Sequence, residues 1–249
     1  MNYKGRVILV TGAASGIGRE IAEGYLKENA TVIIADKNAT LGLEFEKHCL
    51  KRGFDAQFIH VDLKDENEIV QMFQIIKEKY SHLDVLINNA GVCKFKPLKS
   101  LSVVEWDEVI NTNLRATFIA SREFSKINDG LIYGRIINIS STRYLMSESN
   151  SEAYAASKGG IVSLTHALAI SLSSQNMTVN SISPGWIHTG SEKSLSKLDH
   201  QQHPSQRVGK PTDILKACLY LTDEKNNFIT GTNIIIDGGI TKKMIYLEE

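Results

Sequence analysis

The sequence is most easily bounded by what it has little of. Among 249 residues there are three cysteines, Cys49, Cys93 and Cys218, odd in number, scattered, and without a Cys-x-x-Cys pair. A disulfide framework and a zinc-finger spacing are therefore excluded, and reduced thiols in a cytoplasmic protein are expected. Cys93 is read as a buried, inert thiol, with a place beside a pocket as the alternative. Charge of one sign is not in excess. The 28 basic and 28 acidic residues cancel, so no broad field points to nucleic acid or to an anionic membrane. No apolar run reaches membrane length, and Met1 leads directly into a polar segment, so neither a membrane span nor a secretory leader is expected. Internal repeats, low-complexity tracts and Pro/Gly-rich linkers are missing, and one domain over residues 1–249 accounts for the length. His48, His60, His82, His166 and His200 fall at no metal-ligand or triad spacing, so no metal site is expected.

What is present is a regular alternation. Residues 6–10, 31–35, 56–61, 84–88, 135–139, 178–182 and 233–236 read as seven short strands. They are rich in Val and Ile and show little polar alternation, the pattern of strands buried on both faces. Between them lie amphipathic segments at 16–29, 40–52, 65–80, 102–127, 152–174 and 212–222, with a capping-box pattern at Ser102 and Glu105. Strict strand–helix alternation predicts an α/β fold, a Rossmann-like doubly wound parallel sheet of about seven strands. The least regular stretch, 190–209, is polar and is expected to be a substrate-side lid.

Two local patterns carry chemistry. Tyr154 and Lys158 are four residues apart, which on a helix stacks them on one face. A cation beside a phenol favours the phenolate. Reaching neutrality from an ordinary value near ~10 needs a shift of roughly three units, or ~4 kcal/mol. Such a tyrosine can exchange protons with an alcohol or a carbonyl. At the other end, Gly12, Ser15, Gly16, Ile17 and Gly18 sit between the first strand and its following helix. Glycines there allow a tight turn close to a pyrophosphate, and the helix N-terminus faces the anion. The spacing is Gly-x-x-x-Gly-x-Gly. Asp36 ends the second strand, where a carboxylate accepts ribose hydroxyls and repels a 2′-phosphate. NAD is therefore expected over NADP, with Lys37 partly offsetting the repulsion.

These motifs, taken in order, resemble the classical short-chain dehydrogenase/reductase family nearly end to end. The resemblance implies a catalytic set of Asn113, Ser141, Tyr154 and Lys158. It further implies cofactor contacts from Asp62 and Leu63, from Asn89, Ala90 and Gly91 after Asn88, and from Pro184, Gly185, Ile187 and Thr189. Under it, Tyr154 exchanges the proton, Ser141 holds the substrate oxygen, Lys158 binds the nicotinamide ribose and lowers the tyrosine pKa, and Asn113 holds a water. Simpler roles stand beside these: Asn113 as a helix-kink residue, Asp62 as the cap of the next helix, Ser140 as a structural serine. The resemblance also implies a homotetramer or homodimer, with residues 242–246 reaching a neighbouring subunit. The apolar positions Ile161, Leu164, Leu168 and Leu172 suit that interface or a monomer core.

Two departures from the family bear on the substrate. Arg143 follows Ser141 where many relatives have small residues; it could pair with a substrate carboxylate or phosphate, or internally with Glu148 or Glu152. Trp186 is either a pocket wall or core packing. The segment between Thr189 and Arg207 looks shorter than in many relatives, and a reduced lid suggests a small or polar substrate, possibly an anionic one. The expected function is NAD(H)-dependent interconversion of a secondary alcohol and a carbonyl by hydride transfer. The alternatives are an NADPH-dependent ketoreductase of the 3-oxoacyl-carrier-protein type and a non-catalytic NAD-binding sensor.

Overall fold

A computed structural model describes residues 2–128 and 133–244. All seven expected strands form: β1 (Val7–Thr11), β2 (Thr31–Asp36), β3 (Ala56–His60), β4 (Val85–Asn88), β5 (Gly134–Ile139), β6 (Met177–Pro184) and β7 (Asn233–Ile236). They make one parallel sheet in the order β3-β2-β1-β4-β5-β6-β7. The chain winds outward from β1 in both directions, so the order reverses between β1 and β4. In open α/β sheets the crevice at that reversal, outside the C-terminal strand ends, is where ligands bind. Here those ends are Thr11 and Asn88.

Burial on both faces explains the unbroken apolar runs. Side chains alternate along each strand, so Ile8 and Val10 enter one core and Val7 and Leu9 the other. The first core is closed by helices α1 (Gly16–Lys27), α2 (Ala39–Lys51) and α8 (Pro211–Thr222), through Ile21, Tyr25, Phe45 and Ile214. The second is closed by α3 (Glu66–Tyr80), α5 (Ala116–Asn128) and α6 (Glu152–Ser171), through Phe73, Ile119, Phe124 and Ala169. Ile161 and Leu172 are buried in the monomer and Leu168 packs against its core. Ile161, Leu168 and Leu172 are thus accounted for within the monomer, whereas Leu164 is half-buried and belongs to neither core.

Two segments differ from expectation. The stretch read as one helix over 102–127 is divided. Helix α4 (Val103–Ile110), capped as predicted by Ser102 and Glu105, runs through a π-helical turn at Asn111–Arg115 into α5. A π turn widens the helix by one residue and is frequent at functional sites. Residues 190–209 are also more ordered than read. They hold a 3-10 turn at Glu192–Ser194 and helix α7 (Lys197–Gln201), whose Ser196 and Asp199 form a reciprocal cap. That Ser-x-x-Asp pattern was the overlooked signal. Residues 245 and 246 of the proposed subunit-reaching tail lie outside the described residues.

Candidate active site

The cleft at the sheet reversal has a volume of about 210 Å³ and is lined by Gly12, Ser15, Asp36, Asp62, Leu63, Asn89, Ala90 and Gly91. The glycine loop is shaped by its neighbours. Gly12 has φ +64°, and a Cβ on it would lie 2.8 Å from the Cα of Ala90. Asn89 locks the loop by donating from Nδ2 to the carbonyls of Thr11 (2.9 Å) and Gly12 (3.2 Å). The Thr11 hydroxyl in turn accepts from the N–H groups of Asn89 and Ala90. Ser15 precedes α1 without using its side chain as a cap, so the first-turn N–H groups face the cleft as an anion site. Gly16 has φ +56°. Gly18 packs so closely on Gly12 and Asn89 that no side chain fits, and Ile17 packs towards the core.

The acidic groups are fixed by backbone. Asp36 accepts from the N–H of Ala14 (3.0 Å) on Oδ2 and of Asn38 (2.9 Å) on Oδ1. Asp62 accepts from Lys64 N–H at 3.0 Å. Asp62 does not cap the next helix; Asp65 does, accepting from Asn67 N–H. Lys37, Val61, Val92 and Thr112 complete the cleft lining. The last three were not singled out from sequence, because nothing local marks an apolar loop residue or a threonine inside a helical segment as a ligand wall. This donor and acceptor set fits a dinucleotide: N–H groups and a helix N-terminus for phosphates, Asp36 for ribose hydroxyls, Asp62 for an amine.

The four residues implied as catalytic converge at one end of this cleft. Tyr154 and Lys158 are one turn apart on α6, with Lys158 Nζ 5.5 Å from the centre of the tyrosine ring. Lys158 is buried and donates to the carbonyl of Ile139 at 2.8 Å. A Cβ on Gly91 would lie 3.4 Å from both Lys158 Nζ and Asn113 Oδ1, so cleft, lysine and asparagine meet there. Ser141 lies near enough to the Tyr154 phenol to draw its pKa down, and its Oγ accepts from Arg143 N–H at 3.2 Å. Ser140 instead donates to the Lys158 carbonyl at 2.8 Å and steadies α6. Asn113 is fully buried in the π turn. Its Oδ1 accepts from Val92 N–H (2.8 Å), and its Nδ2 donates to Val92 O (2.9 Å) and Ser157 Oγ (3.0 Å). The turn thereby pins the strand-end loop after β4 to α6.

The electrostatics reverse one expectation. Burial pushes the Tyr154 phenol up; the nearby Ser141 hydroxyl and, more weakly, Arg143 act downwards. Lys158 does not hold the phenol down in the protein alone, because its ammonium is aimed at Ile139 O. Burial also pushes Lys158 itself down to about 8. Desolvation, which disfavours whichever form is charged, outweighs the pairing that the i, i+4 spacing suggested.

The remaining predicted residues are distributed as follows. Pro184 ends β6, and Gly185 lies so close to Asp237 that its Cβ would sit 2.8 Å away. Ile187 bridges to Gly209, and Thr189 reaches Gly16, its Cγ2 lying 3.5 Å from where a Cβ would be. Trp186 is neither in the core nor in the nucleotide cleft. It is exposed, stacks obliquely on the buried His203, and lines a recess with Ser205 and Gly238. Arg143 takes its internal option, an ion pair with Glu148 at 2.5 Å. Cys93 is exposed, not buried, and is close enough to Tyr154 and Lys158 to raise the pKa of each. The strand-to-loop turn after Gly91 carries it to the surface.

Comparisons agree over nearly the whole length. A family model described as enoyl-(acyl carrier protein) reductase matches residues 12–241. An uncharacterised oxidoreductase of Thermotoga maritima is 45% identical, over 98% of this chain and 99% of its own. Cyclopentanol dehydrogenase of a Comamonas species is 32% identical, over 95% and 97%. A 3-oxoacyl-(acyl-carrier-protein) reductase of Buchnera aphidicola is 35% identical, over 96% and 99%. Among solved structures, a presumed gluconate dehydrogenase of Agrobacterium tumefaciens superposes with a TM-score of 0.90 at 30% identity, covering 98% of both chains.

Proposed function

The chain belongs to the short-chain dehydrogenase/reductase family of NAD(P)-dependent oxidoreductases acting on CH–OH groups, and from that premise we propose that it interconverts a small secondary alcohol and its carbonyl with NAD(H). The observation that carries this reading is the meeting of Ser141, Tyr154 and Lys158 beside Gly91. The cofactor supplies a hydride acceptor or donor at its nicotinamide. In oxidation, ionised Tyr154 takes the proton of the substrate hydroxyl. Ser141 hydrogen-bonds the same oxygen and stabilises the charge that builds on it. Lys158 adds a buried positive charge behind the phenol. Asn113 positions Val92 and Ser157 around the pair. Reduction runs the proton back, and the raised phenol is already in the acid form that reduction needs. Oxidation is accordingly expected to quicken as pH rises.

Asp36 supports NAD over NADP, since its fixed carboxylate would repel a 2′-phosphate. A second reading, NADPH-dependent ketoreduction, is favoured by Lys37 in the same cleft and by the 35% identity to an acyl-carrier reductase. Fluorescence titration with both cofactor pairs, followed by an NADH-formation screen over sugars, polyols, hydroxy acids and secondary alcohols, separates them. Tight NAD(H) binding with turnover supports the first reading, and preference for NADP(H) replaces it with the second. The segment 190–209 serves as the substrate lid in this proposal, and the protein works as a homotetramer or homodimer.

A further inference from the structure

Resting on that reading of Tyr154, the surroundings of the phenol narrow the substrate class: we propose that the site takes uncharged secondary alcohols and ketones with a hydrocarbon body, held against the ring of Phe95.

Phe95 lies on the loop that leaves β4 through Gly91, Val92 and Cys93. Its ring centre is 6.4 Å from that of Tyr154, tilted by 48°. One side of the ring meets the phenol, yet the residue remains 53% exposed. An aromatic ring left half in water beside a proton-transferring group is a surface for apolar substrate to cover. A second loop is joined to this one. It carries Leu145 and Met146, both exposed, and is tied to the Phe95 loop by Lys96 N–H donating to Asn150 O at 3.1 Å.

Three cations on the same two loops already have acidic partners. Lys94 pairs with Glu108 (2.6 Å), Lys96 with Glu105 (2.9 Å) and Arg143 with Glu148 (2.5 Å). A carboxylate or phosphate entering here would lie beside one of these glutamates. The like charges make the anionic class the disfavoured one. An uncharged alcohol meets no such repulsion.

The test compares two ketones of one shape: 5-methyl-2-hexanone, and 4-oxopentanoate, in which a carboxylate replaces the isopropyl group. KM and kcat are measured with NADH. Kd for each ketone on the protein–NADH complex is measured by NADH fluorescence, which needs no turnover. The neutral ketone is expected to bind at least about tenfold more tightly than the anion. Phe95→Ala should raise its KM and Kd about tenfold or more. The same variant should leave NADH affinity and 4-oxopentanoate binding unchanged, and Phe95→Leu should restore most of the loss. Equal or tighter binding of 4-oxopentanoate overturns the proposal, as does a Phe95→Ala protein that binds NADH normally and keeps its affinity for the neutral ketone. Failure of the underlying reading looks different. A Tyr154→Phe protein that keeps full turnover removes Tyr154 as the acid–base, while the ketone Kd values still decide the substrate class.

Discussion

Lys158 holds an ammonium group where water does not reach, with one carbonyl, that of Ile139, as its hydrogen-bond partner. Its pKa falls from the ordinary 10.5 to about 8, which makes the charged form cost about 3 kcal/mol. The sign follows from proton counting. Between about 8 and the ordinary lysine value the unfolded chain binds the proton and the folded one does not, so stability rises with pH across that window. Below it the cost is constant. Urea unfolding of wild type and Lys158→Met should show the rise only in wild type, and at neutral pH the variant should be more stable by up to about 3 kcal/mol while losing activity. Tyr154 is the complementary case. Tyr154→Phe keeps the ring and removes the proton, so turnover should fall by about 10² to 10⁴-fold, with NAD(H) affinity, read by fluorescence, unchanged.

Between α4 and α5 the π turn does what a continuous α-helix would not. It turns Asn113 inward, fully buried, to hold both backbone groups of Val92 and the hydroxyl of Ser157. Ser157 donates in turn to the carbonyl of Tyr154. The loop after β4, which carries Cys93 and Phe95, is thus pinned to the helix that carries the phenol. Asn113→Ala leaves the Val92 groups without their partner, at a cost of about 1–3 kcal/mol. A lower urea midpoint, together with a raised substrate KM, is the expected result. Asn113 was legible as a motif residue, but the π turn was not: a single inserted residue hardly alters the apolar periodicity of a long helix. The caps were more legible. Ser102 and Glu105 were read correctly, whereas Asp62 was offered as a cap that Asp65 in fact provides.

At the scale of the whole molecule, β7 is the outer strand of a sheet whose other strands are mostly covered. All four of its residues, Asn233–Ile236, are only half-buried. In the connection between α8 and β7, Phe228 is fully exposed, and Tyr220 on α8 is exposed too. Edge strands of this kind are normally covered or paired, which suits an assembly face built from β7 and α8. Sedimentation should give the mass of a multimer for wild type and a smaller species for Phe228→Asp, with the monomer fold intact by circular dichroism. An unchanged mass for the variant would remove this face from the interface.

Seven strands and the glycine loop were determined by the sequence alone, because a doubly covered strand must be apolar on both faces and a tight phosphate turn needs glycine at positive φ. Gly12 and Gly16 have that geometry. The i, i+4 spacing put Tyr154 and Lys158 on one face for the same local reason. What only the tertiary structure decided depends on which distant segments meet and how much water they displace. That includes the upward shift of the Tyr154 phenol, the pairing of Arg143 with Glu148, the exposure of Cys93 and the placing of Phe95 against Tyr154. Desolvation and ion pairing are set by three-dimensional surroundings, and residue spacing along one helix carries no record of them.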